Sequence, residues 1–295
     1  MNKFTGLLLV LILMTLPVAA GAEWKVVSQK TVTGLGHPES VAFVPEAKSF
    51  YVSRFGPELK PLQKDGQGFI SRLDLNGQVL EERFLPAEGD RLNKPKGVWT
   101  SGGRLWTTDI DAVWIFDLAT KKGRKLDLPG AGFANDVVEA GGKLYVSDTK
   151  TGAVHLIQPA DFLNAQPQIS VLAQESDLAP NGLWAIDKGQ LLAAGYPLDG
   201  GSGAIYRLGP DGRVSDVSPD LGRLDGLAVL KDGTILYTDW AGQGLFALGK
   251  EGKPQPLAQG FGGPADFAVV PRETGCLVVV PDLVKGEIRL IELSQ

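Results

Sequence analysis

Six tripeptides recur along the chain, each leading into a short apolar strand: PES at Pro38, PKG at Pro95, AND at Ala134, PNG at Pro180, LDG at Leu224 and PAD at Pro264. Their separations are 57, 39, 46, 44 and 40 residues. A period of roughly 40 to 50 residues with several short strands per unit is the spacing of propeller blades. Leucine-rich repeats are shorter, and helical repeats need a 3.6-residue apolar period that this chain lacks. The expected fold is therefore all-β, a six-bladed β-propeller.

The fullest copy reads LDGLAVLKDGTILYTDW from Leu224 to Trp240. Two apolar strands flank a Lys-Asp-Gly turn, and a third strand is expected at Gly244 to Leu248. The other copies repeat this order as FYV with FISRL, LWTTD with AVWIFDL, and LYVSD with GAVHLI. Trp24 to Val32 reads as a further strand, expected to join the last blade beside Glu287 to Leu293 and close the ring without a free inner edge. Gly56 to Gly68 and Tyr196 to Gly203 are insertions between second and third strands. Strand counting puts those loops at the same end as the tripeptides, where they should overhang them.

The first 22 residues read as a secretory signal peptide. Lys3 supplies the basic start, Leu7 to Thr15 the apolar run, and Ala20-Gly21-Ala22 the small-residue cleavage site. The expected product is one propeller domain, 23–295, in the periplasm or outside the cell, with no membrane span. Cys276 is the single cysteine, so no internal disulfide is available, and it reads as a buried small hydrophobe. The formal net charge is −5, and no cluster of five basic residues occurs. Nucleic acid and anionic lipid are thus poor partners; a small molecule fits better, and nothing marks a partner protein.

The chemistry lies in the middle residue of each tripeptide: Glu39, Lys96, Asn135, Asn181, Asp225 and Ala265. Each begins an innermost strand, so all six should face the central axis at one end, in solvated positions. Glu39, Asn135, Asn181 and Asp225 carry oxygen donors, which together suit one hard divalent cation with water completing its shell. The simpler alternative is that polar residues there cap strands and line a wet channel.

The ordered set resembles the regucalcin/gluconolactonase (senescence-marker-protein) family of six-bladed propellers, over nearly all of the chain after the leader. The resemblance implies one bound divalent metal, calcium first and zinc, magnesium or manganese otherwise, held by Glu39 in HPES, Asn181 in PNGL and Asp225 in LDGL. It also implies that Asn135 in FANDV faces metal or substrate. The implied reaction is hydrolysis of a small lactone or related ester, with Asp225 doubling as general base and Asn135 orienting substrate. Two positions depart from the family pattern. Phe133 stands where many members carry arginine, and Lys96 brings an ammonium to the axis. Lys96 could repel the cation, replace it, or bind an anionic group of the substrate.

Other residues carry less. His37 is expected to line the mouth and to meet substrate there, and His155 to be structural. Asp109, Asp148, Asp239 and Asp282 recur after second strands and should bond the amides of their own turns. Trp99, Trp106, Trp184 and Trp240 read as packing between blades. Ser40 and Ser53 lack a nucleophile-elbow motif. A non-catalytic propeller that binds a ligand or protein on the same face is the competing reading.

Overall fold

The structure is a computed structural model that describes residues 23–295; the expected signal peptide, residues 1–22, lies outside the described residues. Six four-stranded antiparallel sheets form the ring. The chain opens with β1 (Lys25–Thr33). Blade one is β2 (Pro38–Val44), β3 (Ser49–Arg54), β4 (Phe69–Asp74) and β5 (Val79–Leu85). Blade two is β6 (Pro95–Ser101), β7 (Arg104–Asp109), β8 (Ala112–Asp117) and β9 (Gly123–Asp127). Blade three is β10 (Ala134–Ala140), β11 (Lys143–Asp148), β12 (Ala153–Gln158) and β13 (Gln168–Gln174). Blade four is β14 (Pro180–Ala185), β15 (Leu191–Gly195), β16 (Ile205–Leu208) and β17 (Val214–Asp216). Blade five is β18 (Leu224–Val229), β19 (Ile235–Asp239), β20 (Gly244–Leu248) and β21 (Pro254–Gln259). Blade six is β22 (Ala268–Arg272), β23 (Gly275–Asp282) and β24 (Glu287–Ser294), completed by β1 in the order β1-β24-β23-β22.

The closure expected from the sequence is present: β1 pairs antiparallel with β24, from Lys25 opposite Ser294 to Thr33 opposite Glu287. Strands grow more exposed outward. All six residues of β3 are buried, whereas β1 is almost wholly exposed. This gradient explains why second strands read as continuous apolar runs: both of their faces pack against a neighbouring blade.

The core is accordingly split into six seams. One cluster joins blades one and two through Tyr51, Ile70, Leu105 and Phe116. Another joins blades two and three through Val113, Ile115, Val146 and Phe162. The seam of blades five and six contains Leu236, Leu245, Val278, Ile291 and Cys276. Trp106 and Trp184 pack in such seams as the sequence suggested, and Trp99 lies between blades two and three as well as three and four.

The innermost strands share one irregularity. In five of them the ladder breaks between the first and fourth residues: Pro38/Val41, Pro95/Val98, Ala134/Val137, Pro180/Leu183 and Leu224/Leu227. The tripeptides are therefore β-bulges, which bend the strand and re-aim its side chains. Blade six differs from the expectation. Its regular strand starts only at Ala268, and the tripeptide is held by an isolated bridge from Pro264 to Asp282.

Cys276 is 3% exposed, and burial pushes its thiol up to about 11. A thiol so placed is unreactive until the seam opens. A chromogenic disulfide reagent at pH 8 should therefore label no thiol in the native protein and one per chain in denaturant. Rapid labelling of the native protein would contradict this packing.

Candidate functional site

The bulges leave backbone groups without ladder partners, and hydroxyls on the second strands satisfy them. Ser53 Oγ accepts from Ser40 N at 2.9 Å, Ser147 Oγ from Asp136 N at 2.8 Å, and Thr238 Oγ1 from Gly226 N at 2.9 Å. The same positions reach into the next blade. Thr108 Oγ1 donates to Asn135 O at 2.5 Å, Ser147 Oγ to Asn181 O at 2.6 Å and Thr238 Oγ1 to Ala265 O at 3.1 Å. The third residue of a tripeptide also bridges blades: Ser40 Oγ accepts from Val98 N, and Asp136 Oδ2 from Leu183 N at 2.6 Å. Glycine occupies this third place where the backbones crowd. A Cβ on Gly182 would lie 2.3 Å from the carbonyl oxygen of Asp225. The tripeptides thus form one hydrogen-bonded annulus around the axis.

Glu39, Asn135, Asn181 and Asp225 are each 4 to 5% exposed and Lys96 is 1% exposed. The expectation of solvated positions is corrected: the annulus is too tight for the side chains to leave the interior. Glu39 and Asp225 come together, since the Asp225 charge acts on the ionisation of Glu39. Burial, then the Asp225 charge, holds Glu39 well above the carboxylate range, opposed by the Lys96 ammonium. Burial, then the Asp266 charge, pushes Asp225 up to about 8, while Trp240 and the neighbouring Asn181 pull it back. Burial draws Lys96 down to about 8 against the attraction of Glu39.

Three details fix which atoms are free. Trp240 Nε1 donates to Asp225 Oδ2 at 2.8 Å, and indole can only donate. Asp225 Oδ1 is left buried without a partner, as is Glu39 Oε2. Thr149 Oγ1 donates to Pro180 O at 2.8 Å, so it can only accept from Asn135, whose Nδ2 stands 3.0 Å away. The carbonyl oxygen of Asn135 is thereby left as its free end.

Lys96 Nζ donates to Lys94 O at a long 3.3 Å and lies over two aromatic faces, 4.7 Å from the Phe133 ring centre and 5.7 Å from that of Phe55. His37 sits at the mouth but faces elsewhere. Its Nδ1 meets the carbonyl of Leu283 at 2.9 Å and therefore donates, so the ring is anchored to blade six and not to the axial carboxylates. His155 is buried in β12, away from the axis.

Both insertions overhang this end. Lys94, wholly buried, donates to Phe55 O at 2.8 Å, Glu58 O at 3.3 Å and Asp65 Oδ2 at 2.7 Å, which pins the first insertion. In the second, Tyr196 packs edge-on against Trp240, with ring centres 6.0 Å apart. Asp148, Asp239 and Asp282 bond their turns as expected and also the loop leading into their own blade, whereas the Asp109 side chain bonds only that loop, at Asn93 and Lys94. Asp148 accepts from Gly132, Phe133, Lys150 and Thr151 amides.

Sequence reasoning missed the parts of four contributors. Trp240 packs between blades as expected, against Ala265 and Leu283, and in addition holds Asp225. Asp136 and Asp266 bring two more acids to the annulus, and Asp266 Oδ2 accepts from Ser40 Oγ at 2.5 Å. The signal was the acid in third place of AND and PAD, where other tripeptides have glycine or serine. Lys94 was overlooked because its three acceptors lie 29 to 39 residues away.

Among the described residues no three His, Cys, Asp or Glu side chains gather as metal ligands. The set expected from the sequence instead mixes two carboxylates with an amide oxygen. The two orphaned oxygens, on Glu39 and Asp225, fit that set: a buried acceptor without a donor is stabilised by a cation.

No family model matches the chain, and no curated protein matches it in sequence. In three dimensions it is similar to a streptogramin B lyase at 14% identity, covering 90% of this chain and 98% of the other with a TM-score of 0.60. It is similar to virginiamycin B lyase from Staphylococcus aureus at 13% identity, covering 92% and 100%, TM-score 0.62. A candidate gluconolactonase shares 18% identity over 93% of each chain, TM-score 0.63. At these identities the likeness is one of fold, a six-bladed β-propeller.

Breaking the clamp under the first insertion tests how firmly that wall is held. Lys94→Met strands two carbonyls and the Asp65 carboxylate and should cost about 3 kcal/mol, measured by urea unfolding. A change below about 0.5 kcal/mol, the range of ordinary surface substitutions, would show that the insertion is not pinned there.

Proposed function

We propose that this protein is an exported metal-dependent hydrolase of small lactones or related esters, allied to the regucalcin/gluconolactonase propellers that its tripeptides resemble. The observation that carries the reading is the pair of buried, partnerless oxygens, Glu39 Oε2 and Asp225 Oδ1, on blades one and five. Asn181 stands beside Asp225 and would complete the ligand set with its amide oxygen. A divalent cation there, calcium first among the candidates, would polarise the carbonyl of the substrate and make a bound water more acidic. Likeness to the candidate gluconolactonase supports the reading at the level of fold, and the leader of 22 residues supports export.

The side chains around that set have separate tasks. The indole of Trp240 holds Asp225 in one rotamer and occupies Oδ2, leaving Oδ1 to accept a proton from the attacking water. The Asn135 carbonyl oxygen, oriented by Thr149, can accept from a hydroxyl of water or substrate. Burial of the annulus keeps bulk water from competing for these groups.

One observation favours a second reading, a propeller that binds a ligand without catalysis. The Lys96 ammonium faces Glu39 and can offset its charge without any metal. Elemental analysis separates the two. The hydrolase carries one divalent cation per chain, and a chelator removes both the cation and lactone hydrolysis. A metal-free wild type whose Lys96→Ala variant gains metal would establish displacement by the lysine.

Asp225→Asn should lower kcat/KM by roughly 100-fold to 10,000-fold, the range of a lost general base. The fold should persist, because an amide keeps the acceptor for Trp240 and removes a costly buried charge. Unchanged turnover with a folded variant would exclude Asp225 as the base.

A further inference from the structure

Polarity changes in steps from the axis outward at this end of the ring. The floor is charged. Above it stand aromatic side chains from four blades: Phe55 and Phe133 on either side of Lys96, and Tyr196 against Trp240. Phe55 and Trp240 belong to one apolar cluster with Ala265 and Leu283, so the aromatic wall rests directly on the one apolar residue among the six that face the axis.

The next step outward is aliphatic. Of the large hydrophobic side chains that are exposed among the described residues, Val26, Val27, Val79, Leu80 and Val171 lie on outermost strands. The others are Leu59 at 38%, Leu62 at 51%, Leu198 at 55% and Val284 at 46%. All four lie on loops joining second to third strands, at the mouth. Leu59 and Leu62 ride on the insertion clamped by Lys94. Val284 adjoins Trp240: a Cβ on Gly263 would come within 2.8 Å of both. Exposed aliphatic side chains of the loops, gathered at one rim and continuous with an aromatic wall and a polar floor, match an amphipathic small molecule.

We infer that the substrate carries an alkyl or acyl tail, its lactone or ester head meeting the axial residues and its tail running past Phe133 and Trp240 to Leu62 and Leu198. A polyhydroxylated sugar lactone fits this end poorly. The wall offers aromatic faces where sugar hydroxyls need donors and acceptors, and Phe133 supplies no hydrogen bond. The inference rests on the hydrolase reading for its head group, while the tail is read from the wall and rim alone.

The test uses lactones with unbranched tails of two to ten carbons, glucono-lactone as the polyhydroxylated comparison, and the corresponding non-hydrolysable alkyl lactams for binding by calorimetry. Lactam affinity should rise by roughly threefold to fourfold per buried methylene, and kcat/KM should rise with it. In a Leu62→Ser/Leu198→Ser variant the ratio of long-tail to short-tail kcat/KM should fall at least tenfold. Hydrolysis with no dependence on tail length, or with glucono-lactone preferred, overturns this inference and leaves the hydrolase reading intact. Lactam affinity that climbs with tail length without any turnover upholds the tail site and overturns the hydrolase. Failure of every lactam to bind overturns the tail site whatever the turnover.

Discussion

Everything at the functional end depends on how the blades are joined around the axis. A bulge at the head of an innermost strand frees backbone amides and carbonyls that a regular ladder would have used. Buried groups of this kind must find partners, and here they find them sideways. Thr108, Ser147 and Thr238 reach the next blade's carbonyls, and Ser40 and Asp136 reach the next blade's amides. The amide of Asp266 donates to Glu39 O at 3.1 Å and ties blade six back to blade one. The ring is therefore stitched at its narrowest circumference, while the apolar seams fasten it farther out.

That stitching determines the electrostatics. Four acids, Glu39, Asp136, Asp225 and Asp266, are brought to one small volume; burial raises all of them, and repulsion from neighbouring acids adds to it at Glu39, Asp136 and Asp225. Asp136 is partly occupied by the amides of Val137 and Leu183, and Asp266 by the Ser40 hydroxyl. Glu39 and Asp225 each keep an oxygen with nothing to accept from. Two of the carboxylates thus have structural employment and two are left for a ligand. Lys96 enters this field between two aromatic rings, where its charge is solvated by their faces and by one long hydrogen bond.

Much of the candidate site was legible before any coordinates. Glu39, Lys96, Asn135, Asn181 and Asp225 could be found because each occupies the same place in its repeat, and a repeat transfers geometry from one copy to the next. The aspartates after the second strands were legible for the same reason. Trp240 was not, because its role depends on a carboxylate 15 residues earlier that becomes its neighbour through the pairing of β18 with β19. Lys94 was hidden more deeply, for its acceptors lie on a different blade's insertion. The partner of His37 was not legible either, for the Leu283 carbonyl that holds its ring lies on blade six, at the far end of the chain.

The sequence by itself determined the number of blades, the closure of the ring by its first strand, and the set of polar residues that would share one axis. It could do so because strand length, turn chemistry and repeat period are local properties, and a closed ring leaves them few arrangements. Only the tertiary structure decided that those residues are buried, which oxygen of Asp225 is free, and that the mouth above them is aromatic and then aliphatic. Those facts depend on how closely neighbouring blades approach and on which side chain donates to which, and such contacts join residues that no spacing in the chain connects.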